Sequence, residues 1–369
     1  MKCSDHVAII GGGIIGISSA YYLSSLGHTN ITIYEQCSVA CHSSGKAGGF
    51  LARTWCDETD LSALGRASYN LHMELKGEYP DLDYRGVDTY QVNTSQKRGG
   101  QDKECVKVPV KWVTDDHITG IKLLDSSENT AKVSPKLLCN KLLAVAQSRG
   151  VQMQLSKVLG VNKSDGGITH LVTSTDQDPI PVDIVVVAAG PWTTKFIHQH
   201  FPEYKLPSLR PQTRAHSVVL RPSTSVGSEC LFQYHSTPSG TVDPEIYPVP
   251  DGTVYVCGEV DYVELPDNPL QISPDSGKCN ELIIQAGHVS KCLRSAEVVA
   301  KQACYLPGSH DDIPIIGKVP GTQNVYVATG HTFWGILNGP ATGKCLAELI
   351  LFGESRTCDI TSFRPERFL

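Results

Sequence analysis

The sequence has no excess of positive charge and no long apolar run. Its 369 residues include 32 Lys and Arg against 38 Asp and Glu, which gives a net charge of −6. Proteins that bind nucleic acid carry basic patches, so this mild acidity argues against a nucleic-acid partner. A membrane-spanning helix needs about 20 apolar residues. The strongly apolar run Ile184–Ala189 is far too short, so we expect no membrane span.

Recognisable targeting signals are also missing. A single Lys precedes the apolar stretch His6–Ile10, and no secretory h-region with a small-residue cleavage site follows it. The final tripeptide Arg367-Phe368-Leu369 is not the peroxisomal Ser-Lys-Leu signal. The sequence therefore predicts an intracellular and cytoplasmic protein.

The 13 cysteines include no C-x-x-C pair. The nearest pair is Cys37 and Cys41, and His42 is adjacent to it. The sequence shows no further residues that would complete a metal site with them, so we predict no metal site. Scattered cysteines of this kind are expected to be free thiols in a reducing compartment.

A strand–turn–helix–strand unit opens the chain. With 40% hydrophobic and 19% charged residues, the chain can bury a core of one large or two medium domains. The apolar run His6–Ile10 predicts a buried strand, Ile17–Leu26 predicts a helix, and Ile31–Tyr34 predicts a second strand. Between the first strand and the helix stands Gly11-Gly12-Gly13-Ile14-Ile15-Gly16, a G-x-G-x-x-G match in the context that gives it meaning.

Each residue of this motif has a physical task in binding a dinucleotide. Gly11 permits a tight turn, Gly13 lets the backbone approach a pyrophosphate, and Gly16 lets the helix pack on the strand. The pyrophosphate would lie on free N–H groups at the helix N-terminus. Glu35 is placed to accept hydrogen bonds from a ribose and would repel the 2′-phosphate of NADP. The unit alone fits NAD or FAD. A flavoenzyme that is reduced by NAD(P)H commonly has two such motifs, and this sequence has only one. The single dinucleotide is therefore either NAD or a flavin that the substrate itself reduces.

Later segments extend this pattern. Ile184–Ala189 and Asn324–Ala328 predict buried strands, whereas Lys136–Arg149 and Gly339–Phe352 predict helices. Alternating strands broken by Pro and Gly occupy about 209–260 and predict an antiparallel sheet. The predicted fold class is α/β: a discontinuous Rossmann-type nucleotide-binding domain with an inserted, mostly antiparallel β substrate domain. The expected boundaries are 1–85, 131–208 and 300–369 for the first domain, and 86–130 and 209–299 for the second.

Six segments together resemble the D-amino-acid oxidase-like FAD-dependent oxidoreductases, in the branch that contains glycine oxidase and sarcosine oxidase. Within that branch the chain is similar to a group of fungal and plant FAD-dependent oxidoreductases. The segment Gly330–Gly343 resembles the C-terminal flavin motif of the family. The other segments are Val7–Tyr22 with Glu35, Ser43–Gly49, Val133–Pro135, Val185–Trp192 and Asp311–Gly317.

This resemblance implies an FAD site. It places Ser43–Lys46 by the pyrophosphate and flavin, Val158 beside the adenine, and Ala189-Gly190 behind the cofactor. It also brings backbone N–H groups of Gly330–Asn338 to the N1–O2 edge of the flavin, where negative charge develops on reduction. The cofactor-binding residues expected are Gly11, Gly13, Ile15, Gly16, Glu35, Gln36, Ser43, Ser44, Gly45, Lys46, Val158, Ala189, Gly190, Trp192, Cys304, Gly330, His331, Gly335, Ile336 and Asn338.

The sequence departs from the resemblance at two positions. Leu306 stands where glycine oxidase-like relatives use an Arg to hold the substrate carboxylate. Arg53 is a candidate substitute anion site. Cys304 stands where sarcosine oxidase-like relatives attach FAD through a thioether, so the resemblance implies a covalent link there.

Candidate residues for the reaction are Lys46, Tyr247, His331 and Arg53, with Trp334 lining the flavin face and Glu245 placed to recruit a cationic amine. The predicted activity is oxidation of a CH–NH or CH–OH bond of a small molecule by hydride transfer to FAD, with dioxygen or another carrier as acceptor. Two alternatives stay open: an NAD-dependent dehydrogenase, and a flavin-binding scaffold or trafficking partner with little turnover. The substrate and the oligomeric state are not predicted.

Overall fold

The computed structural model describes residues 2, 4–95, 108–204, 213–238 and 240–368. Part of the predicted substrate segment 86–130 therefore lies outside the described residues. The strands are β1 (Val7–Ile10), β2 (Ile31–Glu35), β3 (Phe50–Ala52), β4 (Arg85–Gly86), β5 (Thr89–Ser95), β6 (Ile118–Asp125), β7 (Thr130–Lys132), β8 (Gln152–Leu155), β9 (Val158–Ser164), β10 (Gly167–Thr173), β11 (Ile180–Pro181), β12 (Ile184–Val187), β13 (Thr213–Arg221), β14 (Cys230–Thr237), β15 (Gly240–Val242), β16 (Glu245–Pro248), β17 (Val254–Tyr262), β18 (Glu297–Tyr305), β19 (Ile315–Lys318) and β20 (Val325–Thr329). The α-helices are α1 (Ile14–Ser25), α2 (Ser43–Lys46), α3 (Ser62–Glu78), α4 (Pro135–Ser148), α5 (Thr193–His200), α6 (Ser276–Gly287), α7 (Lys291–Arg294) and α8 (Gly335–Phe352).

The first large sheet, sheet I, has the strand order β19-β20-β12-β1-β2-β8. Its pairings are parallel except that of β19 with β20. Alternate residues of β1 face opposite sides: Val7 and Ile9 join one hydrophobic cluster, and Ala8 and Ile10 join another. Both faces are therefore covered, as a parallel sheet requires.

One face of sheet I carries the helices α1, α3, α4 and α8, with α1 and α8 in direct contact. A Cβ atom at Gly343 would lie 2.5 Å from Cβ of Ser18, and one at Gly339 would lie 2.5 Å from Cγ1 of Ile14. These two glycines of α8 thus allow the helix backbones to approach closely. The contact places the N-termini of both helices at the same edge of sheet I.

The second large sheet, sheet II, has the order β18-β13-β17-β16-β14-β5-β6, with β15 paired to β14. All its pairings are antiparallel apart from that of β5 with β14. Its own core contains Val218, Leu231, Ile246 and Val256 together with residues of α6. The predicted fold class, an α/β Rossmann-type unit with a mostly antiparallel partner sheet, is confirmed.

The predicted elements are present with shifted ends. The first helix begins at Ile14, three residues earlier than expected, and the C-terminal helix begins at Gly335 and not near Gly339. Strand β18 spans Glu297–Tyr305 and pairs with β13, so sheet II takes in residues on both sides of position 300. The division into two domains stays a prediction. In the part of the chain that the structure describes, no helix is long and apolar enough to cross a membrane.

Candidate functional site

A cavity of about 870 Å³ extends from the C-terminal edge of sheet I to sheet II. At one end it is lined by the turn between β1 and α1, and at the other by strands β16 and β17. Ligand sites of open α/β sheets lie outside the carboxyl ends of their strands. The volume falls in the usual range for small-molecule and cofactor sites.

The turn after β1 is closely packed. Gly11 has a φ angle of +115°, and a Cβ atom there would lie 2.3 Å from the carbonyl oxygen of Ala188. Only glycine satisfies both constraints. The turn leads into the N-terminus of α1, where Oγ of Ser44 accepts a hydrogen bond from the amide of Ile14 at 3.0 Å. The first-turn amides of α1, including Ile15, lie at the cavity wall and can bind an anion.

Glu35 ends β2 beside this turn and lines the cavity. Its Oε2 accepts a hydrogen bond from the amide of Gly12 at 2.8 Å, and its Oε1 accepts one from the amide of Cys37 at 2.9 Å. These bonds fix the carboxylate at the position expected to receive a ribose.

The interpretation of Cys37 and Cys41 as free thiols is wrong. Their sulfur atoms form a disulfide, with an S–S distance of 2.07 Å, across the turn that follows Glu35. The turn brings the two Cα atoms within 6.5 Å of each other, a proximity that spacing alone did not reveal. Glu35 and the two sulfurs are also close enough to form a metal-ligand group, but the sulfurs are bonded to each other. The other described cysteines are free.

His42, which the sequence analysis considered only as a metal ligand, lies buried in the cavity wall. The amide of Tyr305 donates a hydrogen bond to Nε2 of His42 at 3.0 Å, and burial lowers the pKa of the ring to about 3. The neutral ring therefore carries its proton on Nδ1, which has no hydrogen-bond partner among the described residues. A buried donor without a partner is costly, so Nδ1–H is available for an acceptor on a bound molecule.

The loop before α8 forms another part of the wall. His331 is buried, and its Nε2 lies 2.9 Å from Oγ1 of Thr342. Burial lowers the pKa of His331 to about 3, so the ring is neutral at physiological pH. The N-terminal residues of α8, Gly335 and Ile336, line the cavity. The positive end of the dipole of this long helix thus favours negative charge in the cavity.

The opposite end of the cavity is an aromatic wall. Rings of Phe50 and Tyr247 are stacked with centroids 5.6 Å apart, and those of Tyr247 and Tyr255 are stacked at 6.2 Å. Phe232 and Trp55 pack against the same group at 5.0 Å from each other. We call these five residues the aromatic wall. The absence of a side chain at Gly48 makes room for it, since a Cβ there would lie 2.5 Å from the ring of Tyr247.

A half-buried carboxylate, that of Glu245, lies within the aromatic wall. Oε2 of Glu245 accepts hydrogen bonds from the hydroxyl of Tyr247 and from the thiol of Cys257. Burial raises the pKa of Glu245, and these two hydrogen bonds partly offset that effect. Burial, together with the neighbouring Glu245, raises the pKa of Tyr247 well above its usual value. Tyr247 is therefore a neutral hydrogen-bond donor.

Cys304 also lines the cavity, on strand β18. Burial raises the pKa of its thiol to about 11, and nearby Lys46 acts in the opposite direction. The ammonium group of Lys46 donates a hydrogen bond to the carbonyl oxygen of Ala303 at 2.8 Å. Burial lowers the pKa of Lys46.

The structure brings most of the predicted site residues to one cavity. Those that line it are Gly11, Gly13, Ile15, Glu35, Gln36, Ser43, Ser44, Val158, Ala189, Gly190, Trp192, Tyr247, Cys304, His331, Gly335 and Ile336. Six others do not line it, namely Gly16, Gly45, Lys46, Arg53, Gly330 and Asn338.

Gly16 and Gly45 are needed for packing: a Cβ atom at Gly16 would lie 2.1 Å from the carbonyl oxygen of Gly11, and one at Gly45 would lie 2.0 Å from that of Ala40. Arg53 lines a separate cavity of about 270 Å³ with Lys76 and Arg85, so the structure does not bring it to the main cavity as the expected anion site. Sequence distance from the glycine loop could not show on which side of β3 this side chain lies.

The residues present fit a flavin dinucleotide. The close turn at Gly11 and the N-terminus of α1 suit a pyrophosphate. The N-terminus of α8 suits a flavin ring that becomes negatively charged on reduction. Glu35 suits a ribose, and His42, which lines the same cavity, has an Nδ1–H donor without a partner among the described residues.

Comparison with known proteins agrees with this fit. The family described as FAD dependent oxidoreductase, DAO, matches residues 6–349. A Schizosaccharomyces pombe protein named as an oxidoreductase is 31% identical over 99% of both chains, and a glycine oxidase from Bacillus licheniformis is 25% identical over 100% of this chain and 98% of its own length. The crystal structure of L-proline dehydrogenase from P. horikoshii has the same fold, with a TM-score of 0.79 at 18% identity over 99% of this chain and 97% of that chain. The chain belongs to the DAO family and is an FAD-dependent oxidoreductase.

Proposed function

We propose that this enzyme oxidises a CH–NH bond of a small molecule that lies between the flavin and the aromatic wall. The observation that carries the proposal is one continuous cavity, which joins the dinucleotide-binding turn at Gly11 to the hydrogen-bonded pair Glu245 and Tyr247. The names of two relatives, glycine oxidase and L-proline dehydrogenase, refer to compounds with a carbon–nitrogen bond, which favours CH–NH over CH–OH.

The chain's own residues supply binding, orientation and proton transfer. FAD, when bound, supplies a hydride acceptor. Glu245 lies where it can hold an amine, and its raised pKa lets its carboxylate take up the proton that an ammonium must lose before oxidation. The Tyr247 hydroxyl fixes the position of that carboxylate. The rings of the wall exclude water and orient the carbon that reacts.

The N-terminus of α8 and the first-turn amides of α1 favour negative charge at the cofactor. His331, neutral and bonded to Thr342, holds the loop that presents the amides of Gly335 and Ile336. Lys46 lies close to Cys304. We propose that its positive charge favours the anionic reduced flavin or promotes the reaction of the reduced flavin with dioxygen.

We also propose that Cys304 attaches FAD through a thioether. Its thiol lines the cavity, and Lys46 lies near enough to favour the thiolate form, although burial raises the pKa of the thiol overall. Acid precipitation of the purified protein tests the link: the yellow colour is expected to stay in the pellet, and Cys304→Ser should release it into the supernatant. Free FAD in the supernatant of the unchanged protein would refute the link without affecting FAD binding.

The visible spectrum of the purified protein, followed by anaerobic addition of amines and alcohols, tests the activity. Flavin bands that are bleached by an amine support the proposal. If dithionite reduces the flavin but none of the amines and alcohols does, the result would favour a flavin-binding scaffold with little turnover. A colourless protein that cannot be reconstituted with FAD would contradict the proposal altogether.

A further inference from the structure

We propose, on the basis of the proposed function, that the substrate is an amine that carries no carboxylate or other anionic group. The aromatic wall and the carboxylate of Glu245 together form a site for an organic cation. This substrate class differs from the one that the names of the relatives suggest, since glycine and proline both carry a carboxylate.

The charges around the cavity are divided between its two ends. Among the described residues, the only Lys or Arg side chains that line it are Lys157 and Lys195. Lys157 adjoins Val158 at the end expected to hold the adenine, and Lys195 is paired there with Asp267. These lysines are therefore placed near the dinucleotide and away from the aromatic wall.

At the aromatic end the charged lining groups are carboxylates. Glu245 and Asp243 both line the cavity there, and Leu306 adds an apolar surface. A substrate carboxylate at this end would lie near the negative charges of Glu245 and Asp243, and no Lys or Arg among the described residues lines this end to bind it. Such a juxtaposition of like charges disfavours binding.

Two lysines lie behind the wall but do not reach the cavity. The ammonium of Lys132 is buried, donates to the carbonyl oxygen of Pro248 at 3.1 Å and lies 5.5 Å from the centroid of the Tyr247 ring. The ammonium of Lys46 is bonded to the carbonyl of Ala303. Because each contacts a backbone oxygen behind a side chain or strand of the wall, neither is placed to bind a substrate carboxylate.

Glu245 is built to hold a cation. The donors from Tyr247 and Cys257 both reach Oε2, and Oε1 accepts neither bond. A partly buried carboxylate gains most from a positive partner, and an ammonium in the cavity would supply that partner. Phe50, Tyr247 and Tyr255 line the same end of the cavity, so their rings are near enough to add cation–π attraction for the same positive group.

A matched pair of compounds tests the inference on the holoenzyme. Phenylalanine, as either enantiomer, differs from 2-phenylethylamine by one carboxylate. We expect 2-phenylethylamine to bleach the flavin anaerobically at least tenfold faster than either enantiomer of phenylalanine. Equal or faster bleaching by phenylalanine would overturn the inference and leave the proposed oxidation of a CH–NH bond intact.

A binding measurement separates the inference from the reaction. Benzyltrimethylammonium and benzoate are not oxidised at a CH–NH bond, and their binding can be followed through the flavin spectrum. We expect the cation to bind more tightly. If no amine bleaches the flavin, the proposed function fails, but the binding of these two compounds still tests the inference about charge. Tighter binding of benzoate overturns the inference, and tighter binding of benzyltrimethylammonium supports it.

Two substitutions locate the preference. Glu245→Gln keeps the size of the side chain and should weaken binding of benzyltrimethylammonium about tenfold or more, because hydrogen bonds and contacts to a charged group are lost. Leu306→Arg adds a cation at the cavity and should strengthen benzoate binding. Unchanged affinities in both variants, with flavin content preserved, would show that this end of the cavity does not select charge.

Discussion

The turn at Gly11 permits a quantitative test of how the fold forms the cofactor site. Replacing Gly11 by Ala adds one Cβ atom at a φ of +115° and 2.3 Å from the carbonyl oxygen of Ala188. Gly27 offers a matched control, since its φ is +95° and a Cβ there meets nothing within 4 Å. Both substitutions strain the backbone, but only Gly11→Ala also creates a clash.

The two costs can be separated. A non-glycine residue in a sparsely populated backbone region costs about 1–3 kcal/mol. Overpacking against a structure that cannot relax costs about 1–3 kcal/mol more. We therefore expect Gly27→Ala to lower the free energy of unfolding by about 1–3 kcal/mol and Gly11→Ala by roughly 2–6 kcal/mol.

Urea denaturation of the apoproteins, followed by far-ultraviolet circular dichroism, gives the two free energies. Flavin fluorescence titration gives the dissociation constant for FAD. Gly11→Ala should also weaken FAD binding, because a displaced β1–α1 turn misplaces the amides of α1, whereas Gly27→Ala should leave FAD binding unchanged. If both variants lose the same stability and both keep FAD affinity, the assignment of the close approach at Gly11 to the cofactor site is wrong.

Three further outcomes are expected. His42→Phe keeps the ring in place but removes the Nδ1–H donor and the acceptor for the amide of Tyr305, so the dissociation constant for FAD should rise about tenfold or more, as measured by fluorescence titration. Burial lowers the pKa of His288 to about 4, and its ring stacks on that of His235 and is tilted against that of His117. The stability that the neutral His288 ring contributes should be fully present above the unfolded pKa of about 6.5 and fall as the pH drops toward 4. His288→Phe should reduce this fall in urea titrations at several pH values. Gly343→Ala should lower the melting temperature, because its Cβ would lie 2.5 Å from Cβ of Ser18, at a cost of about 1–3 kcal/mol; an unchanged melting temperature would show that α1 and α8 separate freely.

The sequence by itself determined the nucleotide-binding unit. The apolar run before Gly11, the glycine spacing and Glu35 all lie within about 30 residues, a length over which local backbone rules decide the strand, the turn and the helix. The same reasoning identified the long C-terminal helix, but it placed the start near Gly339 where the structure begins it at Gly335. Helix starts are decided by capping and packing as well as by periodicity, so such ends shift by a few residues.

Only the tertiary structure decided which distant residues meet. Strand β18 brings Tyr305 to His42, and this contact fixes the ring tautomer and leaves Nδ1–H without a hydrogen-bond partner among the described residues. Arg53 follows the glycine loop by only a few residues, yet β3 carries it to a different cavity. The pairing of Glu245 with Tyr247 follows from their alternation on β16. That no Lys or Arg among the described residues lines this end of the cavity follows from the packing of β16, β17 and β18 around it. The pairing of strands that are distant in the chain leaves no periodic pattern in the sequence. Which charged side chains line the site could therefore be decided only from the fold.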